Sequence, residues 1–261
     1  MRRPLLEVCV DSLAGVCAAS EAGADRIELC SALDVGGLTP SLGLIREARA
    51  ATSLPIFVML RPRPGDFCFD DTEFRVLRAD LDALHAEDVQ GVVTGVLSED
   101  LSVDVPRTRE LVVLAGSLPV TFHRAFDLCT DPTRALNDLI ACGVARILTS
   151  GGKNRALDGA AAIRDCVAQA GSALKVVAGG GVDVGSLDEL LRQTGVREVH
   201  TSASTSVPGV GRAGTDAQGV SPVSLAPTLD AGSGGQRQTD PAKIAACRAI
   251  LDQWGDRAPR S

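Results

Sequence analysis

Nowhere in this chain of 261 residues is there a run of roughly 18 apolar residues, the length a helix needs to cross a bilayer. The opening Met1-Arg2-Arg3-Pro4 leads into an apolar run already broken by Glu7 and Asp11, too short for the core of a secretory signal. Both absences lead us to expect a soluble protein of the cytoplasm, with no membrane partner. Positive charge is not in excess either. A formal net charge of -7 argues against nucleic acid or an anionic membrane surface as the main partner. It leaves room for a local group of arginines that holds a small anion. The eight cysteines, at 9, 17, 30, 68, 129, 142, 166 and 247, contain no Cys-x-x-Cys pair, so the zinc or redox motifs that spacing marks are not expected. Scattered through a chain of this size, they read as reduced thiols. Cys17, Cys142, Cys166 and Cys247 fall on helical patterns and read as small apolar packing residues.

What the chain does have is apolar material, 45% of its residues, laid out as a repeating alternation. Short β-branched runs recur at Leu5–Val10, Arg26–Cys30, Ile56–Arg61, Gly91–Val96, Val120–Arg124, Arg146–Ser150, Lys175–Ala178 and Glu198–Ser202. A helical pattern follows each. Strands separated by helices imply right-handed βαβ units and a parallel sheet. Eight such units in about 250 residues make a (β/α)8 barrel, here read as one α/β domain over 1–261. Capping residues before proline place helix starts at Thr39-Pro40, Asp131-Pro132 and Asp240-Pro241. Gly23, Gly143 and Gly195 place helix ends. Residues 207–238, rich in Gly, Ser, Pro and Ala, read as a long loop before the last helix, either a surface insertion or a lid over the barrel mouth.

Alternation along each strand separates the inward side chains from those facing the helices. The helix-facing side must be apolar. Glu7 and Cys9 on strand 1, Glu28 and Cys30 on strand 2, Met59, Arg61 and Arg63 on strand 3, Thr121 and His123 on strand 5, and Glu198, His200 and Ser202 on strand 8 therefore point inward. Ionisable groups inside a barrel cost several kcal/mol unless paired. They read either as a structural ion network or as a site at the C-terminal ends of the strands, where barrel active sites lie. In the second reading Glu7, Glu28, Arg61 and His123 are the catalytic candidates, with arginine for an anion and glutamate or histidine for a proton. Gly179-Gly180-Gly181 after strand 7 and Ser202 after strand 8 stand where barrels often cradle phosphate, so Arg61, Arg63, these glycines and Ser202 are the anion-binding candidates. A plain tight turn is the other reading of the glycine triplet.

These residues lie in segments that resemble one family, the copper homeostasis protein CutC. The matching pieces are Glu7-Val-Cys-Val-Asp-Ser12, Gly23-Ala-Asp-Arg-Ile-Glu-Leu-Cys-Ser31, Gly36-Gly-Leu-Thr-Pro-Ser41, Arg61-Pro-Arg-Pro-Gly-Asp-Phe67, Thr121-Phe-His-Arg-Ala-Phe-Asp127 and Leu148-Thr-Ser-Gly151. The resemblance runs from Glu7 to about Ser204. It implies a TIM barrel, often a homodimer, that handles copper in the cytoplasm, with Cu(I) on cysteine thiolates. Carried onto this chain, those cysteines are Cys9 and Cys30, two soft ligands on neighbouring strands that suit a linear Cu(I) site. Two core residues that happen to face each other are the alternative. The functional expectation is thus a Cu(I)-binding protein of copper homeostasis. Its rivals are an enzyme acting on a small anionic or phosphorylated substrate and a scaffold without a site.

Overall fold

The computed structural model describes residues 3–207 and 236–256. Its strands and helices alternate as the periodicity demands: β1 (Leu5–Val10), α1 (Leu13–Glu21), β2 (Arg26–Leu29), α2 (Leu42–Ala51), β3 (Ile56–Met59), α3 (Asp71–Leu84), β4 (Gly91–Thr94), α4 (Val105–Ala115), β5 (Val120–Phe122), α5 (Pro132–Cys142), β6 (Arg146–Thr149), α6 (Ala160–Ala170), β7 (Lys175–Gly179), α7 (Val184–Thr194) and β8 (Glu198–Thr201). β9 (Ser204–Val207), β10 (Gln236–Thr239) and α8 (Pro241–Asp256) follow. Strands β1 to β8 pair in parallel and in order, and β8 closes onto β1, so the expected (β/α)8 barrel is the fold.

Local chemistry sets the helix ends. Asp131 accepts from Arg134 N–H ahead of Pro132, and Gly143 and Gly195 end α5 and α7 at φ +84° and +70°, a conformation that costs glycine nothing. One start differs from the sequence expectation. α2 is capped by Ser41, whose Oγ accepts from Leu44 N–H, and not by Thr39. Thr39 is already committed to the segment just after β3, accepting from Arg61 N–H at 3.0 Å and donating its own N–H to Arg61 O at 3.1 Å. Of the loop expected at 207–238, only the ends fall among the described residues. Its two ends, with Val207 against Gln236 and Ser204 against Thr239, pair as antiparallel strands, and residues 208–235 lie outside the described residues.

Apolar side chains fill two separate spaces. Leu6, Val8, Val10, Ile27, Leu29, Ile56 and Val58 point outward and merge with helix residues such as Leu77, Leu136 and Leu187 in one continuous shell. Inside the barrel a small second cluster holds Cys30, Phe57, Met59 and Val93. Size is balanced across the interior. A Cβ on Gly91 would stand 2.6 Å from the Phe57 ring, so the glycine on β4 makes room for the large residue on β3. Polar groups take the rest of the interior.

Candidate metal centre

The lower layer of the interior is a chain of ion pairs. Arg26 on β2 donates through Nε to Glu7 on β1 and through its second amino group to Glu198 on β8 at 2.6 Å. Arg146 on β6 reaches Glu198 at 3.4 Å. Both guanidinium groups sit over the ring of Phe57, 4.7 and 4.8 Å from its centroid. Burial alone would raise the Glu7 carboxyl, but Arg26 and His200 overcome it and pull its pKa down to about 2. Glu7 is a carboxylate at any ordinary pH, and therefore only accepts hydrogen bonds.

That fact orients the layer above. Glu7 Oε1 lies 2.7 Å from His200 Nδ1, so Nδ1 must be the donor. The other nitrogen, Nε2, lies 3.7 Å from Glu28 Oε2 and is the position that a proton or a metal would take. Strand register brings a thiol to the same place, because Cys9 stands beside Glu28 across β1 and β2, and Glu7 stands beside His200 across β1 and β8. The ligand atoms of Cys9, Glu28 and His200 all lie within 4.8 Å of one another, and all three residues are buried. Burial pushes the Glu28 carboxyl up to about 7, with His200 opposing and Glu7 adding to the rise. For His200, burial works against the charge, and the neighbouring Cys9 and Glu28 more than reverse it, raising the ring well above its ordinary value. Glu28 Oε1 is buried without a hydrogen-bond partner among the described residues.

A cavity of about 240 Å³ opens over this group. Cys9, Glu28 and His200 line it together with Leu33, Met59, Phe67, His123, Arg124, Leu148, Ser202 and Arg237. The structure therefore sorts the sequence candidates. Cys9, Glu28, His123 and Ser202 meet at the cavity. Glu7 stands behind His200 as its hydrogen-bond partner. Cys30 is fully buried, its sulfur 3.7 Å from Glu28 Oε2 and packed among Phe57, Met59 and Val93. Burial, followed by the charges of Glu28 and Cys9, raises the Cys30 thiol well above its ordinary value.

The arginines expected inside strand 3 are placed differently, because β3 ends at Met59 and both lie beyond it. Arg61 is turned into the neighbouring loops, donating to the carbonyls of Val35, Gly37 and Gly65 at 2.9, 3.2 and 2.7 Å. Arg63 pairs with Glu73 of α3 and with Asp66, 2.9 Å away, outside the barrel. Neither lines the cavity, and neither do Gly179, Gly180 and Gly181. Gly179 has a packing role: a Cβ there would lie 2.6 Å from Leu148 and 3.1 Å from His200 Cβ. Sequence reading put His200 inside the barrel but gave it no role as a ligand. The missing signal was register, which sets His200 beside Glu7 and which side-chain alternation does not carry.

Comparison with known proteins agrees with this fold. The CutC family matches residues 4–205. A CutC-family protein of Mesorhizobium japonicum is 46% identical over 211 residues, 81% of this chain and 82% of its own length. One from Caulobacter vibrioides is 44% identical over 230 residues, 88% and 94% of the two chains. A solved CutC structure from Streptococcus agalactiae, which carries the name copper homeostasis protein, is 30% identical with a TM-score of 0.73, covering 76% of this chain and 98% of that one. Thiamine phosphate pyrophosphorylase from Pyrococcus furiosus, 16% identical at a TM-score of 0.56 over 95% of this chain and 96% of that one, shares the fold alone.

Proposed function

This chain belongs to the CutC family, and from that premise we propose that it binds Cu(I) in copper homeostasis, holding the ion at the barrel mouth between Cys9 and His200 with Glu28 beside them. The observation that carries this reading is the convergence of three ligand-type side chains from β1, β2 and β8, all buried and within 4.8 Å of one another. A thiolate and an imidazole suit Cu(I), which favours soft and intermediate ligands over carboxylate oxygen. Glu28 would supply the compensating negative charge and find a partner for its unpaired oxygen. Glu7 holds His200 Nδ1–H, so that a metal displacing the Nε2 proton would meet the lone pair there, the arrangement by which a carboxylate commonly orients a metal-binding histidine. Cys30, the second cysteine the family resemblance implies, sits behind Glu28 and serves in this reading as packing and as a reserve thiol, not as a first ligand. A cytoplasmic homodimer belongs to the same reading.

The enzyme reading draws less support: of its expected anion-binding residues Arg61 is engaged with backbone carbonyls and Arg63 with Glu73, while Ser202 lines the cavity. Anaerobic titration of Cu(I) against a competing chelator tests the proposal. The parent is expected to take one equivalent, Cys9→Ser to lose it, and Glu7→Gln to bind about 10- to 100-fold more weakly through the misoriented histidine. Undiminished binding by Cys9→Ser and by His200→Asn would overturn the assignment.

A further inference from the structure

His123 lines the same cavity from the end of β5, 5% exposed, and its Nε2 has no hydrogen-bond partner among the described residues. Its ring is fixed on several sides. Ala125 N–H donates to Nδ1 at 3.1 Å, and the Phe67 ring packs against it with centroids 4.7 Å apart. Gly95 leaves the space the ring occupies, since a Cβ there would stand 2.5 Å from the imidazole Cε1. Because Nδ1 accepts, the one proton of the neutral imidazole is on Nε2. Burial, helped by the charge of Arg61, holds the ring pKa down at about 3, so it stays neutral in the physiological range. His123 is thus a donor with a set direction and no acceptor among the described residues, and buried donors in native structures are nearly always satisfied.

The rest of the cavity complements that donor. Arg124, next in the chain, is held by Asp127 and Ser150 at 2.8 Å each, and Arg237 by Ser204 at 2.6 Å, and both arginines line the cavity. Leu33, Met59, Phe67 and Leu148 give it an apolar wall. Two acids, Asp11 and Glu28, share the lining, with Asp11 accepting from Leu33 N–H at 3.3 Å. The volume of about 240 Å³ is below the roughly 300–1,000 Å³ of pockets for drug-sized ligands, which limits the occupant to a small metabolite. We propose that this cavity binds a small organic carboxylate, one oxygen of which accepts a hydrogen bond from His123 Nε2–H while Arg124 and Arg237 face its charge. The carbon skeleton packs against Phe67 and Leu148. The site needs no metal, so it stands apart from the copper reading.

The test uses metal-free protein with 15N-labelled histidine, followed by imidazole 1H–15N NMR during titration with acetate, pyruvate and benzoate. The free protein should show His123 as the Nε2–H tautomer, and at least one probe should move that resonance saturably. His123→Asn keeps an acceptor for Ala125 N–H but lacks the cavity donor, and should bind that probe about tenfold or more weakly. His123→Gln carries a donor near the Nε2 position and should recover part of the loss. An Nδ1–H tautomer, no saturable shift with any probe, or equal binding by His123→Asn would overturn the proposal. Should His123→Asn fail to fold, the parent resonance and His123→Gln decide by the same criteria. A protein that takes up copper but shows no saturable shift contradicts this proposal alone. One that shows the shift but takes up no copper contradicts only the copper assignment.

Discussion

Two layers of ionisable groups fill the barrel, and they differ in whether their unsatisfied atoms belong to residues that line the cavity. In the lower layer Arg26 lies between Glu7 and Glu198, Arg146 shares Glu198, and Phe57 presents its ring to both cations. The acid–base pairing is internal, apart from Arg146, two of whose nitrogens have charge and ring contacts but no hydrogen bond. In the upper layer Glu28 Oε1 and His123 Nε2 have no partner among the described residues, and Cys9, Glu28 and His200 converge within 4.8 Å of one another. Glu7 joins the layers, with one oxygen on Arg26 and the other on His200. Similar residue types at similar burial thus act as structure below and as a site above. What separates the two is that the unspent bonds above belong to Glu28 and His123, which line the cavity, while Arg146 below does not.

Substitutions can break that contrast. The largest effect is expected at Arg26→Leu, which strands Glu7 and Glu198 below the cavity. Removing one member of a buried pair costs about 3–5 kcal/mol, and urea unfolding at neutral pH should show a loss of that size. A loss near zero would mean that the lower layer does not hold the fold as argued. The next effect is a pH dependence from His123. Its folded pKa of about 3 lies below the ordinary 6.5, so between those values the unfolded chain binds a proton that the folded chain refuses. Stability should therefore fall as the pH falls through that window, by up to about 1.4 kcal/mol per pH unit from this group. His123→Gln should remove that share of the slope, read as the difference between parent and variant in unfolding free energy at pH 7 and pH 5. The smallest effect is expected at Cys9→Ser, about 1 kcal/mol or less in urea, because the new hydroxyl faces the cavity. The same variant is the one that should lose copper. An unfolding loss as large as that of Arg26→Leu would erase the distinction between the layers.

The barrel was legible in the sequence because its evidence is local and repeated: eight β-branched runs, proline after Asp131 and Asp240, glycine at 143 and 195. Parity along single strands also placed Glu7, Cys9, Glu28, Cys30 and His200 in the interior correctly. It failed for Arg61 and Arg63, since alternation holds only while a strand lasts and β3 stops at Met59. Beyond that point Arg61 follows backbone carbonyls of neighbouring loops, which no side-chain pattern encodes. The partnership of Cys9 with Glu28 and His200 was hidden for a different reason. It depends on the stagger of β1 against β2 and β8, a property of barrel closure between residues as far apart in sequence as 9 and 200.

The copper K-edge X-ray absorption spectrum of the parent loaded with one equivalent of Cu(I) tests the central claim most directly. A site made of Cys9 and His200 predicts a first shell with one sulfur and one nitrogen. Two sulfurs and no nitrogen would put Cys30 in the place of His200 and contradict the account.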